Sequence, residues 1–360
     1  LPIPVVTLKT FVADIFRHAG TSPEEAGRIG RYLIAANMTG HDSHGVVRVP
    51  RYVQNLKQGE VFADRGITIE RETPVTAVVD GNGGFGQTVT PLAVQVGIDK
   101  AKTSGLACVA FKNTGHLGRA GDWAEMAADA GLISIHFVNV RGSLLVAPFG
   151  GVDRKLSTAP YCMGVPIPGR PLLLLDFATS MVAEGKVLVA SRGGKKIPAD
   201  ALITPQGEMN GDPATLYGDL AVQDRNPENG GGAIRAFGLH KGSGLAFMCE
   251  IMGGAVGGNG TCGPREDARG AIRNGMLSFY LRPDVLGPPE EIAARADRYI
   301  AFYKASRPAE PGGEVLVPGE AEARRRAHCQ AHGIDLPPDT WASIVAAAQS
   351  VGLNSAPAAP

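Results

Sequence analysis

Two short stretches of the sequence gather side chains that can hold a carboxylate and move a proton. The first is His41-Asp42-Ser43-His44-Gly45, followed by Arg48 and Tyr52. Arg48 lies four residues after His44 and Tyr52 four after Arg48, so a helical path places all three on one face. A guanidinium grips a carboxylate through two parallel hydrogen bonds, which suits a 2-oxo or 2-hydroxy acid. The His44 imidazole titrates near neutrality and can donate or relay a proton, with the Ser43 hydroxyl beside it. Pro50 interrupts a simple helix, and the same residues also fit a solvated turn with a surface arginine. The second stretch, Asn113-Thr114-Gly115-His116-Leu117-Gly118, sets a histidine between glycines, after an expected strand and before an expected helix. Such a loop gives a substrate access and brings the ring near helix-start amides. Carbonyl reduction needs a proton donor at oxygen and alcohol oxidation needs a base; histidine serves both. A loop histidine with no such duty has the same spacing.

Further candidates follow along the chain. Leu175-Asp176-Phe177-Ala178-Thr179-Ser180 closes an expected strand with an acid and hydroxyls, and Gly185-Lys186 comes a helix turn later. An acid there can hold ribose hydroxyls, and Thr179 or Lys186 can meet phosphate; simple capping fits equally. Lys241-Gly242-Ser243-Gly244 has the make-up of an anion nest at a helix start, or of a turn. Gly81-Asn82-Gly83-Gly84-Phe85-Gly86 satisfies the GxGxxG pattern between an expected strand and helix. The following strand ends in Phe111-Lys112-Asn113, without the acid that holds ribose in a Rossmann unit. A glycine-rich turn beside a pocket is therefore the preferred reading. His41 and His44 have no third ligand at metal spacing, and no GxSxG elbow occurs, so a metal centre and a serine hydrolase are both disfavoured.

The elements that must carry these groups can be read from apolar spacing. Thr21-Ser22-Pro23-Glu24-Glu25 opens a helix with a hydroxyl cap, a proline in the first turn and acids beside it; Ala26, Ile29, Leu33 and Ile34 form its stripe up to about Gly40. Strands are expected at Val75 to Asp80, Leu106 to Phe111 and Leu132 to Val138, helices at Thr90 to Lys102 and Ala120 to Ala130, and a loop at Asn139 to Ser143. This alternation indicates a mixed α/β protein. Residues 145 to 230 break into short apolar runs between Pro and Gly, the pattern of a mostly antiparallel sheet, with Leu172 to Leu175 as a buried strand and 225 to 232 as a surface linker. A helix is expected from about Ser243 to Val256. Two helical patterns flank a strand-like Glu314-Val315-Leu316-Val317, and a loose polar tail follows from Asn354.

The bulk composition narrows the function classes. A chain of 360 residues fits two or three packed domains, and 35 basic against 35 acidic residues leaves no footprint for nucleic acid or anionic lipid. The five cysteines are widely spaced and odd in number, as in a reduced cytosolic protein. No apolar run reaches the roughly 20 residues of a membrane span, and the start has no signal-peptide pattern, so cytoplasm is the expectation.

Taken in order, DSHGVVRVPRYV, NTGHLGRAGDWAEMAADAGLISIHFVNV, PFGGVDRKLSTAP, LDFATSMVAEGKV, KGSGLAFMCEIMGGAVGG and VLVPGE closely resemble the non-Rossmann malate/L-lactate dehydrogenase family, from about residue 5 to 353. That family includes ureidoglycolate dehydrogenase, diketogulonate reductase, sulfolactate dehydrogenase and the piperideine/pyrroline-2-carboxylate reductases. The resemblance implies a homodimer of three-domain chains with a cofactor domain built on a mainly antiparallel sheet. The expected division is a helical domain at 1–65 plus 300–360, a central α/β domain at 66–125 plus 230–299, and a cofactor domain at 126–229. It also implies a pocket of Ser43, His44, Arg48 and His116, at a cleft shared by the dimer; Tyr52, on the Arg48 face by its spacing, is expected on the substrate side. A nicotinamide cofactor would lie against Asn139, Thr158, the strand end at Asp176, Ala178, Thr179 and Ser180 with Lys186, then Lys241-Gly242 and the Pro318-Gly319-Glu320 turn. Three departures bear on substrate identity: Thr158-Ala159-Pro160 where relatives carry Thr-Asn-Pro, Ser243 where they carry tyrosine, and no acid before the glycine turn of Ala201 to Gly207.

The expected chemistry is hydride exchange between NAD or NADP and a small 2-oxo/2-hydroxy acid, with His116 exchanging the proton, His44 and Ser43 orienting, and Arg48 holding the carboxylate. Asp176 facing a ribose favours NAD, by repelling a 2′-phosphate. Reduction of a cyclic imino acid is the nearest alternative. A non-catalytic binder of small acids or nucleotides and a cofactor-free lyase using His116 as base are the more distant ones.

Overall fold

Apolar residues at helical spacing near the N-terminus bury one stripe each and build the first two helices. Leu8, Phe11, Val12, Ile15 and Phe16 are buried from α1 (Val5–His18), and Ala26, Ile29, Leu33 and Ile34 from α2 (Pro23–Met38). Ser22 caps α2 as its sequence suggests, its hydroxyl accepting from the Glu25 amide at 3.2 Å. The computed structural model describes residues 2–191, 193, 195–222, 225–264 and 272–357. Within these, the further helices are α3 (Val49–Lys57), α4 (Gly86–Ser104), α5 (Gly121–Asp129), α6 (Glu184–Ser191), α7 (Ala214–Tyr217), α8 (Leu239–Cys249), α9 (Pro289–Lys304), α10 (Glu320–His332) and α11 (Pro338–Gln349). The strands are β1 (Thr68–Glu72), β2 (Thr76–Asp80), β3 (Leu106–Thr114), β4 (Ile133–Arg141), β5 (Val146–Ala147), β6 (Pro160–Val165), β7 (Leu173–Ala178), β8 (Leu202–Ile203), β9 (Met209–Asn210), β10 (Ala233–Arg235) and β11 (Arg273–Leu281).

These strands form two mixed sheets, ordered β1-β2-β3-β11-β4-β6-β7 and β5-β10-β8-β9. In the larger sheet β2 and β3 run parallel across α4, while every other neighbouring pair is antiparallel. The mixed α/β class is thus observed, and the sheet is mainly antiparallel. In the smaller sheet β5 and β10 are parallel and the other pairs antiparallel.

Three larger apolar cores and a small fourth, of Ala147, Ile203 and Ala233, hold the elements. One joins α1, α2 and α3 to α11, with Phe16, Tyr52 and Trp341 among its members. A second packs α4 and α5 on the large sheet around Phe111, Trp123 and Tyr280. A third lies under the small sheet, around Leu202, Leu216 and Ile234. Each fully buried large side chain contributes about 1.5–3 kcal/mol. The anticipated boundary at 125/126 falls between β3 and β4, strands of the same sheet.

Several expectations change. Asn139 to Arg141 do not loop but continue β4, because β11 supplies a ladder partner as far as Arg273. Glu314 to Val317 pair with no strand and run irregularly towards α10. β7 is an edge strand with Leu175 39% exposed, so Leu172 to Leu175 are not a buried strand. The helix expected at Ser243 starts earlier, at Leu239, and continues as a π-helical segment from Glu250 to Val256. Three helices rather than two occupy the C-terminal part. Among the described residues, no helix is long and apolar enough to cross a membrane.

Candidate active site

The segment after α2 does not form one continuous helix. Asp42–His44 and Val46–Arg48 are separate 3-10 turns, and α3 starts at Val49 with Pro50 in its first turn, where a missing N–H breaks no helical bond. Asn37, at the end of α2, clamps this path. Its side-chain oxygen accepts from the Val46 amide at 2.8 Å, and its amide nitrogen donates to Asp42 at 2.6 Å. A Cβ at Gly45 would lie 2.1 Å from Asn37 Oδ1, so the clamp closes only on glycine. The result aims Ser43, His44 and Arg48 at one place. Arg48 Nε donates to the Ser43 carbonyl at 2.6 Å, while its two terminal nitrogens have no protein acceptor among the described residues. That leaves the fork of the guanidinium free for a planar anion.

His116 reaches the same place from the loop between β3 and α5. The Gly115 amide bonds the Gly84 carbonyl at 2.8 Å, and the Leu117 amide bonds Asn274 Oδ1 at 2.9 Å. Gly86, the first residue of α4, lets the loop settle on the helix start; a Cβ there would stand 2.3 Å from the His116 carbonyl oxygen. The His44 and His116 rings then stack with centroids 5.3 Å apart and planes at 22°. Each ring has its Nδ1 beside a hydroxyl: Ser43 Oγ at 3.0 Å for His44 and Tyr52 Oη at 2.6 Å for His116. Neither Nε2 has a protein partner among the described residues.

Burial is the main cause that holds His44 down to about 3, with Arg48, His41 and Arg119 adding to it. Burial, then Arg48 and His44, hold His116 well below the usual imidazole range. Both rings are therefore neutral at physiological pH. Burial pushes the Tyr52 phenol up to about 12, opposed by Arg48 and by a hydrogen bond from Gln87. Tyr52 was expected on the substrate side. It is only 3% exposed, and its hydroxyl is committed to His116 and Gln87, because a buried O–H must find partners.

The residues expected around a cofactor are placed less uniformly. Asp176 is turned inward: its carboxylate accepts from the Gly121 amide at 2.7 Å and lies 3.7 Å from Arg119 Nε and 3.9 Å from His41 Nε2. Asn139 is fully buried and bonded to Glu250, Gly260 and Asn259. Thr179 bonds the Ala159 carbonyl at 2.8 Å and Ser180 the Val182 carbonyl at 2.9 Å; Ala178 pairs with Pro160. Thr158 is half-buried, its carbonyl accepting from the Thr179 amide. α6 packs against the Ser43 turn, where a Cβ at Gly185 would lie 3.1 Å from Ser43 Cβ. Lys186 and Lys241 are exposed and have no protein acceptor among the described residues, and Gly242 is buried in the first turns of α8. The Pro318-Gly319-Glu320 turn sits at the start of β7 rather than its end: Pro318 accepts from Leu174, and Glu320 bonds Lys304 at 2.6 Å.

The GxGxxG stretch does connect parallel strands through a helix. Its Gly81, Gly83 and Gly84 amides, however, are bonded to Lys112, Asn113 and Gly81 carbonyls, so they form no phosphate cradle. The turn instead supports the His116 loop. Sequence reasoning missed Gln87, Asn37 and Asn274, all buried and all holding site residues. Gln87 stands immediately after the last glycine of that turn, which was the available signal.

Known proteins share this arrangement of chain. Hydroxycarboxylate dehydrogenase B of Escherichia coli strain K12 is 38% identical over 349 residues, which is 96% of this chain and 93% of that protein. The sulfolactate dehydrogenase structure from Methanocaldococcus jannaschii superposes with a TM-score of 0.82 at 31% identity, covering 98% of each chain. The delta1-piperideine-2-carboxylate reductase of Pseudomonas syringae pvar. tomato gives 0.80 at 26% identity, covering 96% of this chain and 99% of that one. The sequence profile of malate/L-lactate dehydrogenases matches residues 3–345, and the chain belongs to that family of hydroxy-acid oxidoreductases.

Proposed function

We propose that this enzyme reduces a small 2-oxo acid, and oxidises the matching 2-hydroxy acid, with a nicotinamide cofactor. The observation that carries the reading is the free guanidinium fork of Arg48 beside two neutral, stacked imidazoles. Arg48 holds the substrate carboxylate bidentately, which fixes the neighbouring carbonyl against the rings. His116 exchanges the proton at the reacting oxygen through Nε2. His44, with Ser43 on its Nδ1, orients that oxygen.

The donor set fits a dinucleotide: Lys186 and Lys241, with no protein acceptor among the described residues, are cations suited to phosphate, and Thr158 is half-buried beside the β7 end. When bound, the nicotinamide supplies or accepts the hydride at its C4. With Asp176 turned inward, its charge does not oppose a 2′-phosphate, so the preference for NAD loses its ground and NADP stands equally. The reading includes a cytoplasmic homodimer and the three-domain division; Tyr299, Phe302 and Tyr303, exposed on one face of α9, support an assembly of copies. The likeness to the piperideine carboxylate reductase favours one second reading, reduction of a cyclic imino acid, in which Arg48 keeps its role and His116 serves the ring nitrogen.

Absorbance of reduced nicotinamide, followed with NADH and NADPH separately against 2-oxo acids and cyclic imino acids, tests this. Consumption with 2-oxo acids is expected. Consumption with imino acids alone selects the second reading, and no turnover together with no binding of either cofactor overturns both.

A further inference from the structure

We propose that Gln87 is a positioning residue that fixes which nitrogen of His116 carries the proton. Gln87 lies in the first turn of α4 and is fully buried. Its amide nitrogen stands 3.0 Å from Tyr52 Oη and 3.4 Å from the His116 carbonyl oxygen. Two acceptors on that side pin the amide, since turning it over would set its oxygen against a carbonyl oxygen. Tyr52 Oη therefore receives an N–H from Gln87 and must give its own proton to its other partner, His116 Nδ1, 2.6 Å away. A neutral imidazole whose Nδ1 accepts carries its proton on Nε2. Nε2 is the nitrogen with no protein partner among the described residues, on a ring that feels the Arg48 charge.

The resting site thus offers an N–H donor to a carbonyl oxygen or imine nitrogen, the polarity that reduction requires. In the reductive direction the Nε2 proton passes to the substrate oxygen as hydride reaches the carbon. Nδ1 takes the Tyr52 proton in the same step, so the ring stays neutral and the negative charge arrives on the Tyr52 oxygen. The Gln87 N–H meets it there; once product leaves, Nε2 takes a proton from solvent and Nδ1 returns its proton to Tyr52, which restores both the phenol and the resting tautomer. Reversal of these transfers serves oxidation. This use of the tautomer rests on the proposed reaction; the tautomer itself does not.

Nitrogen-15 NMR of the histidine rings in the full-length, ligand-free protein tests the inference, with His116 assigned by its loss in His116→Asn. The expected spectrum has His116 Nδ1 at the shift of a bare ring nitrogen and Nε2 at that of a protonated one. Gln87→Leu removes the N–H that fixes the Tyr52 proton. Tyr52 is then free to accept from Nδ1–H, so an Nδ1-protonated His116 population appears in the spectrum. kcat should fall about tenfold or more while the substrate KM stays within about twofold. An Nδ1-protonated His116 in the wild type overturns the proposal even if the variant fails to fold. So does an unchanged tautomer in folded Gln87→Leu. A correct tautomer in a protein that turns over no substrate would fault the proposed reaction and leave the positioning role standing.

Discussion

Arg48 and Arg119 are the same residue type, lie in two neighbouring parts of the molecule, and have opposite surroundings. Arg119 is fully buried against three carboxylates: Asp122 at 2.9 Å, Glu125 at 3.0 Å and Asp176 at 3.7 Å. Arg326 closes the cluster on Glu125 from α10. Burial is the leading cause that pushes the Asp122 carboxyl up to about 7, against the pull of Arg119. Among the described residues Arg48 makes one hydrogen bond, from Nε to a carbonyl, and its charge bears on both neutral rings. The difference teaches how to separate a structural charge from a working one. Ion-paired carboxylates tie α5, β7 and α10 together around Arg119, whereas a guanidinium fork with no carboxylate partner among the described residues is open to an anion from outside the chain.

That contrast can be broken by substitution. Arg119→Met strands buried carboxylates, and the unfolding free energy in urea should fall by about 3–5 kcal/mol. A loss below about 1 kcal/mol would show that the cluster holds nothing. Arg48→Lys should leave the urea midpoint close to wild type but raise the substrate KM about 10- to 100-fold, because a point charge cannot reproduce the fork. If both variants instead lose stability alike, the comparison fails.

A smaller effect sharpens the same lesson with histidine. His136 is fully buried in β4 with Ser278 Oγ at 2.8 Å and Ser134 Oγ at 3.0 Å, and burial holds it down to about 3. The unfolded chain takes up its proton below about pH 6.5, whereas the native chain does not until about 3. Stability from this group is therefore complete above that window and is lost as pH falls through it, at about 1.4 kcal/mol per pH unit. His136→Gln should flatten the dependence of unfolding free energy on pH between about 6 and 4 by that amount. Asp122 acts in the opposite sense but is common to both proteins, so the difference isolates His136. Equal slopes would contradict its neutral burial.

Much of this was legible in the residue order. Helix α2 announced its cap and stripe, the β2–α4–β3 unit its alternation, and His44, Arg48 and His116 stood out by residue type before the fold brought the two rings together, since each signal is local. What escaped depends on partners distant in sequence. β4 runs on through Asn139 only because β11 lies beside it, and Glu314 to Val317 have strand composition but no strand pairing among the described residues. Tyr52 was placed by spacing on the substrate side. Its hydroxyl is turned inward by Gln87 and His116, 35 and 64 residues away. Asp176 has the residue type of a ribose ligand, yet Arg119 and the Gly121 amide draw it the other way. Residue type and spacing identified which groups can do chemistry; the partners that commit or release them come from the tertiary fold.

The central claim is that the imidazole pair and the free arginine carry the reaction. It is tested most directly by His116→Ala, measuring kcat for the preferred acid, reduced-cofactor affinity and the urea midpoint on one preparation. The expected result is a fall in kcat of about 10²–10⁴-fold with affinity and midpoint near wild type. A kcat within a few-fold of wild type would contradict it.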